Sequence, residues 1–333
     1  MSNTNPSNTP PPAQGVRLDW NILPAPVRAE VERRLGSPVR ASISQPMGFT
    51  PGVAARLRLA DGRSVFAKAA GPLPNPGLPA IHRQEARVVS ALPAAAPVPR
   101  LLEVVDEGEG GWIALVYEEA LGQHPAQPWD PAELRRVLAA LDALGELLTP
   151  APLGEPVVES ASAAFASVPG TYGRLTGWRL LAEDPTARRD GLDEWSTRHL
   201  EALVALEAQA ARAAAGSTLL HFDVRADNLL LSADRVWFVD WPLACVGAAW
   251  VDAVFFAPSV AMQGGPAPEE VIAQSAACRA ADPRAVTAVI AAVAGFFTHR
   301  ALQPPPPGLP TVRAFQAAQG AVARRWLAER GIV

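Results

Sequence analysis

The sequence predicts an α+β protein of two lobes, a small antiparallel sheet followed by a larger helical region. Three observations carry this. Residues 38–118 read as strand–strand–strand–helix–strand–strand. From residue 119 onward the apolar spacing is mostly helical. That helical pattern breaks once, at two short apolar strands around "SADR" (232–235). The 333 residues are 49% hydrophobic and 19% charged, enough to bury the core of one large domain or two lobes.

Taken in order, "MSNTNPSNTPPPAQG" is polar and Pro-rich and reads as a disordered tail, residues 1–15. It has neither a basic start nor an apolar stretch, so it does not read as a signal peptide. "PAPVRAEVERRLG" (24–36) reads as a short helix, with prolines at its start and Gly36 after its end. Three strands follow, turning at "MGFTPG" (47–52) and "ADG" (60–62), the third ending on Lys68. A helix is expected from about 78 to 92, then strands in "RLLEVVDEG" and "GWIALVYEEA". The first lobe therefore runs over 16–118 and the helical lobe over 119–333.

The helical lobe opens at "DPAELRRVLAALDALGELL", with Asp130 as the cap and Pro131 in the first helical position. Residues 150–195 are irregular. "DEWSTRHLEALVALEAQAARAAAG" reads as one helix closed by Gly216. Further helices are expected at about 247–262, 267–278, 283–300 and 310–329, the last two separated by "QPPPPGLP". The longest apolar run, "AVTAVIAAVAGFF" (285–297), is too short to span a bilayer and reads as a core helix.

Composition narrows the function classes. A net charge of -4 gives no reason to expect nucleic-acid binding, which usually needs a basic patch. Cys245 and Cys278 fit neither a disulfide framework nor a zinc motif and read as buried thiols, consistent with a cytoplasmic protein. The 29 basic residues include a single lysine, Lys68 in "SVFAKAAG". By composition alone it is either a leftover of a bias toward arginine or a position whose chemistry needs an ammonium.

The strongest chemical signal is "HFDVRADN" (221–228), of the form His-x-Asp-x-x-x-x-Asn, followed by the apolar run Leu229–Leu231. Twelve residues past Asn228, Asp240 ends the apolar "VWFV". A carboxylate there is costly to bury without a cation, and Asp and Asn oxygens together suit a hard divalent ion. The spacing arises by chance in on the order of one chain in a hundred at average composition.

At these residues the chain resembles the aminoglycoside phosphotransferase and choline kinase group, small-molecule kinases with a protein-kinase-like fold. The resemblance runs in order over nearly all of the chain beyond residue 36. It implies that Lys68 holds the nucleotide phosphates and that Glu85, on the next helix, holds Lys68. It implies Asp223 as the catalytic base and Asn228 and Asp240 as ligands of Mg2+, with ATP or GTP as phosphoryl donor. His221 would keep the loop in shape, and Asp252 would brace it from the following helix. Gly48 and Gly52 would let backbone N–H groups approach phosphate in the turn 47–52. Backbone groups of Glu118 and Ala120 would meet the purine at the hinge. Arg225 reads either as a group that stabilises transferred charge or as a solvated arginine. Glu85 has its own alternative, one more charge on an exposed face between Arg83 and Arg87. Trp237, Trp241 and Trp250 read as core packing.

The resulting expectation is phosphorylation of a hydroxyl on a small molecule, either an antibiotic in resistance or self-resistance or a metabolic acceptor resembling a sugar, choline or a nucleoside. A nucleotide-binding pseudokinase is the alternative outside the enzymes. A protein kinase is disfavoured because "DWP" replaces Asp-Phe-Gly and only eleven residues separate Asp240 from Asp252. Residues 256–333 carry four acids against seven arginines, which argues against a strongly cationic acceptor. Residues 150–215 carry nine acids against six arginines, which keeps the acceptor open. No nucleic-acid or membrane partner is expected.

Overall fold

The computed structural model describes residues 13, 15–73, 75–154, 157–165, 175–186 and 191–331. The small lobe contains β1 (Arg17–Leu18), α1 (Ala25–Leu35), β2 (Val39–Ser44), β3 (Gly52–Leu59), β4 (Ser64–Ala70), α2 (Leu78–Ala91), β5 (Leu101–Asp106) and β6 (Ile113–Glu118). The sheet order is β1-β3-β4-β6-β5, with β2 also on β3. β1 runs parallel to the start of β3, and every other pair is antiparallel. β1 was not legible in the sequence, because a two-residue strand has no period to detect. Most of the expected tail lies outside the described residues. Of the two residues described there, Ala13 is buried and Gly15 donates from its backbone to Gly48 O at 2.9 Å.

The alternation of β4 decides where Lys68 points. Val65, Ala67 and Ala69 are buried on one face, against Val27, Val31 and Leu35 of α1. These α1 residues fall four apart, one stripe of a helix. Burying such a side chain stabilises the lobe by roughly 1.5–3 kcal/mol. Phe66 and Lys68 are thereby turned to the opposite face, which α2 covers. β4 continues two residues past Lys68, to Ala70, so the lysine lies inside a central strand rather than at its end.

The large lobe begins with α3 (Pro131–Leu147), whose Asp130 cap accepts from the N–H groups of Ala132 and Glu133. Its core is the Pro283–Ala301 helix, buried over most of its length between Val286 and Thr298, against the Val251–Met262 and Val312–Glu329 helices. The irregular stretch holds the short helices α4 (Ala161–Phe165) and α5 (Gly177–Glu183), and residues 155–156, 166–174 and 187–190 lie outside the described ones.

Two expectations change. The single helix over 193–216 is three pieces, Glu194–Arg198, Leu200–Glu207 and Ala210–Ala213. His199 leaves helical geometry at φ -105, ψ 10, and Glu207 turns inward to accept from the backbone N–H groups of Trp178 and Arg179 at the start of α5. Gly216 is not the cap, which is Ala214; it lies where a Cβ would meet Ala248 N at 2.4 Å. The helix over 267–278 is likewise two, Pro268–Ile272 and Ala276–Ala280.

The break in the helical pattern holds more strand than the sequence shows. β8 (Leu229–Leu231) and β9 (Val236–Phe238) pair around "SADR" as expected. A second pair, β7 (Thr218–Leu220) with β10 (Cys245–Gly247), clamps the ends of the whole segment 218–247. Both "HFDVRADN" and Asp240 therefore hang from short, buried strands.

Candidate active site

Lys68 is the convergence point. Its Nζ donates to Glu85 Oε1 at 2.7 Å and to Asp240 Oδ1 at 2.7 Å. Glu85 is 3% exposed, so the exposed-charge alternative for it does not hold. Arg83, its neighbour in sequence, faces away and pairs with Asp106. Burial opposes the charge on Lys68, but the Asp240 and Glu85 carboxylates outweigh it and hold its pKa above the ordinary value. Burial also works against Asp240, yet Lys68 brings that carboxyl down to about 2. Glu85 is pushed upward by burial, which Lys68 offsets only in part. The ammonium is thus shared by Asp240 and Glu85 at equal distance.

The catalytic-loop segment is braced from below. Asp252 accepts from the backbone N–H groups of His221 and Phe222, both at 2.8 Å. His221 is buried and kept neutral, its pKa lowered to about 4 by burial. Its Nε2 donates to Val239 O at 3.0 Å, and its Nδ1 accepts from Asp223 N at 3.3 Å. These contacts tie the loop to the backbone just before Asp240. Phe222 and Asp240 both sit at positive φ, 63 and 70, where a side chain other than glycine costs of order 1–3 kcal/mol.

Asp223 and Asn228 meet at the centre. Asn228 Nδ2 donates to Asp223 O at 2.8 Å and to Asp223 Oδ2 at 3.1 Å. This spends the amide nitrogen on Asp223 and leaves the amide oxygen to other partners. Burial pushes the Asp223 carboxyl up to about 7, and Arg225 counters it. Arg225 is not a solvated arginine. It pairs with Asp223 and forks onto Asp227 at 3.0 and 2.8 Å, and its guanidinium lies 5.3 Å from the Phe49 ring centre. Asp227 was not singled out in the sequence, although it stands inside the motif.

The turn 47–52 departs from expectation. Gly48 and Gly52 both take positive φ, 96 and 122. Their N–H groups, however, face the N-terminal segment: Gly48 N donates to Ala13 O at 3.0 Å and Gly52 N to Val16 O at 3.3 Å. These two donors are therefore not turned toward phosphate, and Gly52 does not line the cavity. The residue that shapes the turn is Arg17, which the sequence did not signal. Its guanidinium reaches into the turn and donates to the carbonyls of Gln45, Met47 and Thr50. A Cβ at residue 48 would stand 2.7 Å from Arg17.

Two cavities meet at this cluster. The first, about 230 Å3, runs from Lys68, Asn228 and Asp240 to Glu118 and Ala120 under the turn 47–52. Val53, Phe66, Val98 and Leu230 line it as an apolar slot. The Glu118 N–H is taken by Arg100 O at 2.9 Å. The second cavity, about 570 Å3, opens beyond Asp223 and Arg225. The Asp223–Asn228 hydrogen bond lies between the two. Trp241 and Trp250 are core residues as expected, whereas Trp237 is half-buried under Arg235. Cys245 and Cys278 are buried free thiols.

Asn228 and Asp240 present hard oxygen donors, which suit Mg2+. Among the described residues no group of three or more His, Cys, Asp and Glu side chains could hold a metal by itself. An ion at this pair would complete its shell with phosphate oxygens and water. No helix among the described residues is long and apolar enough to cross a membrane.

Residues 56–295 match the family model of the phosphotransferase enzyme family. A putative fructosamine-3-kinase from Thermobifida fusca superposes with a TM-score of 0.56 at 20% identity, covering 90% of this chain and 98% of its own. An aminoglycoside phosphotransferase, a thermostable mutant in ternary complex with AMP-PNP and hygromycin B, gives 0.56 at 15% identity with the same coverage. A choline kinase from Streptococcus pneumoniae gives 0.55 at 13% identity, again with 90% and 98% covered. The fold is thus that of protein-kinase-like small-molecule kinases. A comparison with curated proteins gives no match.

Proposed function

The chain belongs to the phosphotransferase enzyme family, and from that premise we propose that it moves the γ-phosphoryl group of ATP or GTP to a hydroxyl of a small molecule. The observation that carries the proposal is the ion pair of Lys68 with Asp240, 172 residues apart in sequence and 2.7 Å apart in space. It joins the sheet of one lobe to the loop of the other beside an apolar slot of about 230 Å3.

Each residue then has a task. The purine lies in the slot against Val53, Phe66 and Leu230, beside the hinge at Glu118 and Ala120. Lys68, fixed from behind by Glu85, takes the phosphates. Asn228 and Asp240 hold Mg2+, which when bound neutralises charge on the phosphates. Asp223 accepts the proton of the acceptor hydroxyl as its oxygen bonds to the γ-phosphorus and the bond from that phosphorus to the bridging oxygen breaks. The nucleoside diphosphate leaves with that oxygen. Arg225, held charged by Asp223 and Asp227, faces the same point and offsets negative charge developing there. His221 and Asp252 keep the loop in place and take no part in the proton transfer.

Two features favour this over a binding-only pseudokinase. Every group that the transfer needs is present, and the Asp223 carboxyl is poised near neutrality, where a general base works best. The test is nucleoside diphosphate release from Mg-ATP and Mg-GTP over a panel of hydroxyl compounds, with Asp223→Asn in parallel. Acceptor-dependent release that Asp223→Asn abolishes is expected. Equal release by both proteins for every acceptor overturns the proposal. Tolerance of expressing cells to hydroxylated antibiotics would then separate a resistance role from a metabolic one.

A further inference from the structure

The second cavity has a distinctive wall. Six of the chain's ten phenylalanines line it: Phe49, Phe222, Phe255, Phe296, Phe297 and Phe315. They come from the turn 47–52, the catalytic loop and three helices, so no single element's packing explains them. They also touch one another. Phe222 and Phe255 have ring centres 4.8 Å apart, Phe296 and Phe297 5.2 Å, and Phe49 and Phe315 5.1 Å. Phe222 holds its strained backbone at φ 63 at the cavity wall, with its N–H fixed by Asp252. An aromatic residue in that conformation is an outlier that the surroundings must enforce.

The charges in the wall cancel. Among the described residues the charged lining side chains are Arg87, Glu159, Asp223 and Arg225, two of each sign. Asp223 and Arg225 already pair with each other. What remains is Glu159, exposed, and Arg87, which donates to the Gln84 amide oxygen. Among the described residues a polycation bound here would find no surplus of acid, and a quaternary ammonium would find Arg87 and Arg225 in the same wall. The other polar contributions are the neutral amides of Gln84, Gln316 and Gln319. A cavity of about 570 Å3, mostly apolar with a few polar groups, has the size and character of a site for a drug-sized molecule.

Resting on the phosphotransferase reading above, we infer that the acceptor is an uncharged hydroxyl compound with an apolar body. The body fills the phenylalanine-lined cavity and the hydroxyl turns to Asp223. The rings supply affinity by removing apolar surface from water, and the amides orient the polar end. This sets the chain's acceptor apart from hygromycin B, the aminoglycoside bound to the similar phosphotransferase.

The test uses the full chain with Mg-ATP and four probes: octyl glucoside below its micelle concentration, phenyl glucoside, hygromycin B and choline. Calorimetric binding and phosphoryl transfer are read separately. The two neutral glycosides are expected to bind, octyl more tightly than phenyl, and both more tightly than hygromycin B or choline. Phe296→Gln is expected to weaken glycoside binding about tenfold. Phe296→Leu, which keeps apolar volume, is expected to stay within about threefold, so a loss confined to the glutamine reports polarity and not misfolding. Tighter binding of hygromycin B or choline, no binding of either glycoside, or equal binding by the parent and Phe296→Gln overturns the inference. Glycoside binding without transfer to any acceptor supports the cavity assignment and counts against the phosphotransferase reading. Transfer to hygromycin B or choline with no glycoside binding does the reverse.

Discussion

Lys68 donates to Asp240 across the cleft at 2.7 Å, although the two side chains belong to different lobes. In this arrangement the ammonium occupies ground that phosphate would claim, and Asp240 is held ionised by it. On the proposed function, nucleotide binding would exchange a direct ion pair for one shared with phosphate. A compact ammonium can pivot between Glu85, Asp240 and a phosphate, whereas a planar guanidinium cannot keep all three distances.

Lys68→Arg should accordingly impair transfer about a hundredfold or more, in line with the loss of one preorganised charge contact. The thermal unfolding midpoint should stay close to the parent's, because charge is conserved at a 15%-exposed position. Steady-state kinetics with calorimetric melting checks both. Unchanged turnover would return Lys68 to a by-product of arginine bias.

Asp223 makes a pH prediction. As the proposed proton acceptor Asp223 would work ionised, and its carboxyl is raised to about 7, chiefly by burial. The value of kcat/KM should therefore rise with pH through about 7 and fall about tenfold per unit below it. Asp223→Asn should lower kcat by about 10²–10⁴-fold and abolish that limb. A pH–rate profile from 5 to 9 checks it.

Gly48 carries a prediction about the turn. An alanine there would strain the backbone at φ 96 and meet Arg17, which pins the turn to three carbonyls. The left-handed penalty alone is roughly 1–2 kcal/mol. Gly48→Ala should raise the KM for nucleotide about tenfold, and equal KM values for the two proteins would show that the turn plays no part in nucleotide binding.

Glu207 predicts a stability effect distant from the chemistry. Burial raises its carboxyl to about 8, against backbone N–H groups of Trp178 and Arg179 that favour the ion. Between about 4.5 and about 8 the folded chain keeps a proton that the unfolded chain has released. Stability from this group therefore falls as pH rises through that window. Glu207→Gln removes the titration, so its unfolding midpoint should decline less from pH 5 to pH 8 than the parent's. A parallel decline in both proteins would contradict this.

Much of the framework was legible in advance, for reasons that lie in local sequence. Strand alternation around Val65, Ala67 and Ala69, the Asp130 cap and the stripe of α1 are local patterns. The spacing within "HFDVRADN" is equally local, since a short loop must carry Asp223 and Asn228 at a fixed interval. Arg17, β1 and the β7–β10 pair were not legible. Each is two or three residues long or acts across tens of residues, so no period or motif marks it. The long helix read over 193–216 failed because Glu207 serves the start of α5 rather than its own helix, a demand that helical spacing cannot express.

The sequence alone thus determined the order of lobes, the family and the residues that could carry the chemistry, because those depend on spacing along the chain. The tertiary structure decided which of them meet. It set Lys68 on Asp240, turned the Gly48 and Gly52 N–H groups to the N-terminal segment, and gathered six phenylalanines from five places around one cavity. Those outcomes depend on distances between residues far apart in the chain, and such distances exist only once packing has brought the elements together.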